Sequence, residues 1–223
     1  MQSGKHGMLR FNVYNRLRDD ILNQVYKKGE ALTESKLTKD LGVSRTPVRE
    51  AFVQLQIDGL VDAIPNKGVI VRGLNIVDIQ DMYDIRAFIE GIATKRACDN
   101  ISDERLKELE ELLSKEEGFT RHKDYQGFQL SDTDFHDIIS KSSNSRIFEN
   151  MLLSMIQYTR IARTKSLSTG ERAQDALNEH YAIFKAMKEH KPVKAKEMME
   201  RHVGNAKESF IRTLIEKEKK NDG

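Results

Sequence analysis

The sequence predicts a mainly α-helical protein in two parts. Residues 1–74 are expected to form three helices and a β-hairpin, and residues 75–223 an antiparallel bundle of about six helices. Three observations support this fold class. Apolar residues recur at helical spacing along most of the chain. A β-branched run at residues 69–71 follows a Pro-Asn-Lys-Gly turn. After Leu74 no strand signal appears, and helices joined by short connections form bundles.

The composition excludes several classes of protein. The 223 residues include 37 Lys and Arg against 35 Asp and Glu, but residues 1–74 hold 12 basic and 8 acidic residues. This basic first part favours a polyanionic partner. The sequence has neither a membrane-spanning apolar run nor a secretory signal, which predicts a cytoplasmic protein with no membrane partner. Cys98 is the single cysteine, so an intrachain disulfide and a thiolate metal cluster are excluded.

The first predicted helix runs from Phe11 to Val25. Its apolar residues recur every fourth position, at Val13, Leu17, Ile21 and Val25. This spacing is typical of an amphipathic helix that buries one stripe.

A pair of short helices is predicted next. Thr33 can cap a helix that Gly42 ends, and Ser44 can cap another that reaches about Asp58. Pro47 falls in the first turn of the latter, where a missing N–H costs little. Two short helices joined by a tight Gly-containing turn form a helix-turn-helix, whose second helix enters the DNA major groove by its N-terminal end. The hairpin that follows would make it a winged helix-turn-helix.

The residues predicted to contact DNA lie at the start of the third helix and at the hairpin tip. They are Ser44, Arg45, Thr46 and Arg49, and in the wing Asn66, Lys67 and Gly68. The two arginines share one helix face and can donate to guanine O6 and N7. The hydroxyl residues suit phosphate, and the wing suits the backbone or the minor groove. The alternative is a three-helix domain whose arginines are merely solvated.

Six helices are predicted in the second part. They begin near Asn75, Ser102, Lys123, Asn144, Glu171 and Val193, with a loop from Ser166 to Gly170. The first of them is predicted to bury Ile79, Met82, Ile85, Ile89 and Ala93, and the fourth Ile147, Met151 and Ile156.

Four residues of the second part form a constellation typical of a metal site. Asp132 and His136 are four residues apart on one helix and therefore point the same way. His180 and His202 each lie 11 residues from Lys191, the centre of the turn between the last two helices. In an antiparallel helix hairpin, equal distances from the turn place the two histidines at the same height on facing helices. One carboxylate and three imidazoles suit Zn, Ni, Mn or Fe. The alternative is that the histidines are ordinary core or surface residues.

The segment Leu41–Ala51, LGVSRTPVREA, resembles the winged-helix signature of the GntR family of bacterial transcription regulators. Leu55, Gly59 and Leu60 and the wing at residues 65–69 fit the same pattern, so the resemblance covers about residues 10–74.

This resemblance implies that Arg45, Thr46 and Arg49 contact DNA together with the wing residues. Ser35 stands where some relatives carry an Arg, so the resemblance leaves Lys36 as a phosphate contact from the second helix.

Residues 75–215 resemble the FCD ligand-binding domain of the FadR-like branch of that family. The motifs that carry the resemblance are Asp84-Ile85-Arg86 with Glu90, Asp132…Phe135-His136, Glu179-His180 and His202. It implies a divalent metal ion, Zn first with Ni or Mn as alternatives, held by Asp132, His136, His180 and His202.

The sequence thus predicts a ligand-responsive regulator, expected to repress, that binds a near-palindromic operator as a homodimer. The resemblance implies a small organic-acid effector, for which we expect Arg86 to offer a guanidinium fork. The alternative for Arg86 is an ion pair with Glu90 on a solvated face. Two alternative functions are a pure metal-ion sensor and a metal-dependent hydrolase with a DNA-binding domain. No catalytic residue is predicted, because no obvious base stands beside His136.

Overall fold

The computed structural model describes residues 2–65, 67–167 and 170–221, with the side chains of 2–7, 154, 156–157, 160–166 and 216–221 left out. Contacts divide the chain into two units, Met1–Asn75 and Ile76–Gly223. The mainly α-helical fold class is confirmed, with a helix-turn-helix and small antiparallel sheet followed by a helical bundle.

The first unit packs three helices against a small sheet. Its elements are α1 (Gln2–Leu22), β1 (Ala31–Leu32), α2 (Glu34–Leu41), α3 (Arg45–Ile57), β2 (Val61–Ile64) and β3 (Gly68–Val71). Thr33 caps α2 by accepting a hydrogen bond from the Lys36 N–H, and Gly42 ends it in the left-handed conformation, with φ at 65°. Leu17, Leu37 and Leu55 are fully buried between the helices.

Two details of the first unit differ from the sequence prediction. The hairpin β2–β3 carries a third strand, because Ala31 and Leu32 pair with Ile70 and Val69 in the order β1-β3-β2. A strand of two residues leaves no periodicity to detect. The first helix ends at Leu22, so Val25 is exposed rather than part of the buried stripe.

The second unit contains six helices within its described residues. They are α4 (Ile76–Asn100), α5 (Asp103–His122), α6 (Tyr125–Ser142), α7 (Arg146–Leu167), α8 (Gly170–Lys188) and α9 (Pro192–Asn221). Helix α4 packs against α6, α7 and α9, and α8 packs against α5 and α9. Ser102 caps α5 through the Arg105 N–H, and Asp124 caps α6 through the Gly127 N–H. This arrangement brings one face of α4, α6, α8 and α9 toward the middle of the bundle.

The buried faces of α4 and α7 match the prediction only in part, since α4 buries Ile89 and Ala93 as predicted. Ile85, Ile147 and Met151 are exposed, whereas α4 buries Arg86 and Glu90. On α4, hydrophobic spacing misplaces Ile85 because the helix turns the paired charges of Arg86 and Glu90 inward.

The predicted loop from Ser166 to Gly170 is shorter in the structure. Helix α7 extends through Leu167 and α8 begins at Gly170, which leaves residues 168–169 outside the described part. The predicted burial of Ile156 also falls on a side chain outside the described residues. Among the helices that the structure describes, none is long and apolar enough to cross a membrane.

Candidate metal centre and nucleic-acid interface

The N-terminal end of α3 presents its polar side chains to solvent. Ser44, Arg45, Thr46 and Arg49 are all exposed, while Val48 is buried on the opposite face. Ser44 is the N-cap by position, yet its hydroxyl makes no capping hydrogen bond within the described residues. The exposed face therefore combines two guanidiniums with hydroxyl groups that can reach a phosphate.

The arginines of α3 and the lysine of the wing line one open groove of about 1000 Å³. Its lining includes Arg45, Arg49 and Lys67 together with Glu34 from α2. Arg49 donates from both Nε and Nη2 to the Glu34 carboxylate, at 2.9 Å each. Lys36 is exposed, with its Nζ 3.8 Å from Glu30 Oε1.

The wing turn depends on a glycine. Gly68 has a φ of 111°, and a Cβ there would lie 2.2 Å from the carbonyl oxygen of Leu32. Only glycine allows β3 to approach β1 so closely. Lys67 is exposed beside it, whereas Asn66, the remaining predicted wing contact, lies outside the described residues.

In the second unit, Asp132, His136, His180 and His202 converge inside the bundle. All four are buried, and one ligand atom from each lies within 4.8 Å of the others. His136 Nε2 is 3.2 Å from His202 Nε2, and Asp132 Oδ1 is 3.5 Å from His180 Nε2 and 3.9 Å from His136 Nε2. Ligand atoms of a tetrahedral Zn site lie about 3.3–3.6 Å apart. The three distances of 3.2, 3.5 and 3.9 Å lie close to this range, and the most widely spaced ligand atoms would draw together around a single metal ion.

Each imidazole is oriented by a carboxylate on its other nitrogen. His136 Nδ1 pairs with Glu90, His180 Nδ1 lies 2.8 Å from Glu116 Oε2, and His202 Nδ1 lies 2.7 Å from Glu179 Oε2. A neutral histidine that donates from Nδ1 turns an Nε2 lone pair toward the centre. Such carboxylate–histidine pairs support metal-bound histidines.

The ring of His180 is held most tightly. It is fully buried and stacks on Phe135, with ring centroids 4.0 Å apart. Its Nε2 is buried and makes no hydrogen bond within the described residues. A buried polar nitrogen without a hydrogen bond is costly unless a ligand meets it. Three converging imidazole nitrogens and a carboxylate oxygen fit a divalent cation by their chemistry.

The histidines differ in how readily they take a proton. Burial disfavours protonation of His180, but the charges of Glu116 and Asp132 outweigh it and raise its pKa. Burial lowers the pKa of His202 to about 3, and the neighbouring imidazoles add to the effect. Although burial opposes ionisation of Glu179, hydrogen bonds from His202 and Arg172 lower its pKa to about 2.

Arg86 lies inside the bundle and not on a solvated face. Its side chain is 2% exposed, pairs with Glu90 at 2.7 Å and donates to Thr159. Together with Arg172 it lines a cavity that touches three of the four clustered residues. This cavity has a volume of about 10 Å³, which is room for roughly one water molecule. A larger ligand needs the side chains around it to move.

Several residues of this site were not predicted from the sequence. They are Glu116, Arg172 and Thr159. The hydrogen bonds that Glu90 and Glu179 accept from histidines were not predicted either. Helical spacing could have indicated two of these residues. Glu116 continues the buried stripe of Leu109 and Leu113, and Arg172 lies eight residues before His180, hence on the same helix face.

Glu179 bears on the hydrolase alternative. It accepts from His202 Nδ1, Arg172 and Asn205. These bonds hold Glu179 at His202 Nδ1, on the side of the ring that faces away from the cluster. Glu179 is therefore not positioned as a general base for a metal-bound water.

Comparisons with known proteins agree with these features. A sequence model described as "FCD domain" matches residues 81–205, and one described as "Bacterial regulatory proteins, gntR family" matches residues 9–71. The chain is 32% identical over 192 residues to the uncharacterized HTH-type transcriptional regulator YdhC of Bacillus subtilis, covering 85% of this chain and 84% of YdhC.

Two further similarities concern Escherichia coli proteins. The HTH-type transcriptional repressor RspR is 25% identical over 197 residues, covering 88% of this chain and 86% of RspR. The solved structure of McbR/YncC shares the fold, with a TM-score of 0.67 at 22% identity over 94% of this chain and 98% of that one. The chain therefore belongs to the GntR family of bacterial transcription regulators, with an N-terminal GntR helix-turn-helix and an FCD domain, and it is a regulator rather than an enzyme.

Proposed function

We propose that this regulator binds operator DNA through its first unit and holds one divalent metal ion in its second, where a small carboxylate effector joins the metal. The observation that carries the metal proposal is the convergence of Asp132, His136, His180 and His202, one ligand atom of each lying within 4.8 Å of the others. Each imidazole has a carboxylate behind it, which favours the tautomer that a metal requires.

The donor set supports Zn first and Ni or Mn as alternatives. Imidazole suits Zn and Ni, and a carboxylate oxygen also suits Mn. Asp132, His136, His180 and His202 would hold the ion. A bound metal supplies a positive charge and open coordination positions, which attract a carboxylate ligand.

Two arginines support the effector proposal. Arg86 and Arg172 line the small cavity beside the cluster, and the Nε of Arg172 is buried with no hydrogen bond within the described residues. Arg172 also lines an open groove of about 290 Å³ between α8 and α9. We propose that a di- or tricarboxylate or a hydroxy acid engages both guanidiniums. Because the cavity is so small, entry requires Arg172 to move away from Glu179.

The exposed arginines of α3 and Lys67 of the wing support operator binding. A helix-turn-helix reads two half-sites when it is dimeric, so we propose a homodimer on a near-palindromic site. The apolar side chains of Ile85 and Phe88 are exposed on α4 and suit contact with a second copy. Repression is proposed by analogy with RspR, whose name describes a repressor. We propose a cytoplasmic location, because a regulator that binds operator DNA must reach it there.

The experiment measures DNA affinity in defined metal states. Duplexes selected from a random-sequence library by the wild-type protein serve as the operator, and fluorescence anisotropy gives Kd for metal-free and Zn-loaded protein, with and without citrate, malate and succinate. We expect one of these acids to change Kd by tenfold or more on the Zn-loaded form alone. An identical Kd in every state would contradict both metal-dependent and effector-dependent regulation.

A pure metal-ion sensor is the second candidate. The observation that favours it is the volume of the cavity, about 10 Å³, which is too small for an organic acid unless side chains move. The two candidates differ in metal exchange, since a resident ion survives dialysis against a mild chelator and a sensed ion is lost. If Zn alone changes the Kd for DNA and no acid adds to it, the sensor is the correct function.

A further inference from the structure

Glu34 forms a two-armed ion pair with the recognition helix, and the proposed DNA contacts above give it no role. It is the first residue of α2, and Arg49 lies in the second turn of α3. Arg49 Nε donates to one carboxylate oxygen and Nη2 to the other, both at 2.9 Å. The Arg49 side chain is 69% exposed. Glu34 is thus the contact that fixes an otherwise solvated side chain in one orientation.

The pair uses only part of the hydrogen-bonding capacity of Arg49. A guanidinium has five N–H donors, and Glu34 occupies the N–H of Nε and one N–H of Nη2. One N–H of Nη1 and the second N–H of Nη2 form the outer edge, while the other N–H of Nη1 points back toward Cδ. Guanine presents O6 and N7 as two adjacent acceptors in the major groove, which match such an edge. Arg49 can therefore bind Glu34 and a guanine at the same time.

We propose that Glu34 is a specificity-determining positioning residue for operator recognition, because it aims the outer edge of Arg49 at a guanine and keeps Arg49 from binding phosphates. This inference rests on the proposed operator binding. A free arginine on an exposed helix reaches any nearby phosphate, which adds affinity without sequence information. The Glu34 carboxylate holds the guanidinium and repels phosphate from its inner edge. The hydrogen bonds from Arg49 lower the pKa of Glu34, so the carboxylate is ionised at neutral pH.

Glu34 also affects the stability of α2, and the test must separate this effect from the positioning of Arg49. An acidic residue in the first turn of a helix stabilises that helix through its dipole. Asp40 lies in the last turn of the same helix and is exposed, so Asp40→Asn controls for the lost charge without touching Arg49, although not for the dipole effect. Glu34→Asp keeps the charge in the first turn but is one methylene too short for the two-armed pair.

The experiment measures a specificity ratio, the Kd for a scrambled duplex divided by the Kd for a duplex that the wild-type full chain selects from a random library. We expect Glu34→Gln and Glu34→Asp each to lower this ratio by about tenfold. This is the order of the discrimination that one bidentate arginine–guanine contact contributes. Asp40→Asn should leave the ratio unchanged. In an Arg49→Ala background, Glu34→Gln should have no further effect on the ratio. Thermal unfolding checks that each variant is folded.

Three results would overturn the inference. An unchanged ratio in both Glu34 variants would show that Arg49 needs no positioning. An equal fall of the ratio in the presence and absence of Arg49 would show that Glu34 acts elsewhere. If the wild-type protein selects no sequence at all, operator recognition itself fails and the inference fails with it, which distinguishes this case from the first two.

Discussion

Replacement of Glu116 by glutamine tests how the metal centre is supported. Glu116 and His180 are both fully buried, and they are joined by a hydrogen bond of 2.8 Å between Nδ1 and Oε2. The substitution keeps the size of the side chain and removes its charge. In the wild type, the carboxylate accepts the Nδ1 proton and leaves the Nε2 lone pair for the metal. An amide accepts that proton more weakly, or turns its NH₂ group to Nδ1 and forces the proton onto Nε2.

The expected loss follows from the strength of that hydrogen bond. A hydrogen bond to a charged group contributes about 1.5–3 kcal/mol, roughly twice the value of a neutral one. The neutral amide therefore costs about 1.4 kcal/mol of metal binding, a tenfold rise in Kd. If the amide also reverses the tautomer, the loss approaches the hundredfold limit that is typical of partners behind metal-bound histidines.

A competition titration of Zn against a chromophoric chelator measures this Kd. Glu117→Gln is the matched control, because Glu117 is the exposed neighbour of Glu116 and pairs only with Arg121 among the contacts described. We expect a 10- to 100-fold weaker Kd for Glu116→Gln and no change for Glu117→Gln. Equal Kd values for both variants and the wild type would refute the reasoning that His180 binds the metal through Nε2.

Three further predictions concern the buried Arg86, the DNA-facing residues and the effect of pH on metal binding. Arg86→Met should destabilise the protein by about 3 kcal/mol in urea unfolding, since it leaves Glu90 without its 2.7 Å buried partner; a loss under about 1 kcal/mol would contradict this. Arg49→Ala should weaken binding to a selected duplex roughly tenfold more than to a scrambled one, whereas Lys67→Ala should weaken both alike and lower the salt slope by about 1; equal loss on both duplexes for Arg49→Ala would make it a phosphate contact. Zn affinity should fall as pH drops through the raised pKa of His180, because a proton competes for that nitrogen. A Kd for Zn that stays flat from pH 8 to pH 6 would contradict the assignment of His180.

Local signals made the first unit predictable. The cap at Thr33, the stop at Gly42 and Pro47 in the first turn of α3 all act within a few residues. The strand β1 was not predictable in the same way, because Ala31 and Leu32 become a strand only through pairing with β3. That pairing joins residues nearly forty positions apart, and no short-range pattern records it.

The second unit shows where hydrophobic spacing fails. Helix α4 buries Ile89 and Ala93, as apolar periodicity indicates, but it also buries Arg86 and Glu90 and exposes Ile85. Charged residues lie inside only when they are paired, and here the partners lie on other helices as well as on α4. The level placement of His180 and His202 was predictable because the turn at Lys191 sets it by arithmetic.

The carboxylates behind the histidines were beyond prediction for a related reason. Glu116 belongs to a helix with seven acidic residues and Glu179 to one with three, and the other acidic residues of both helices are exposed. Which of these carboxylates turns inward depends on where an imidazole from another helix arrives. The four candidate ligands were therefore predictable from the sequence, whereas the carboxylates that orient the histidines were not.

Metal content tests the central claim most directly. Untagged protein purified without chelator is analysed for Zn, Ni and Mn per chain, and His180→Ala serves as the comparison. The account predicts about one divalent ion per wild-type chain and a clear reduction in His180→Ala. A wild-type chain that carries no metal and takes up none when Zn, Ni or Mn is added would contradict the metal centre, although operator binding by the first unit would remain to be judged by its own test.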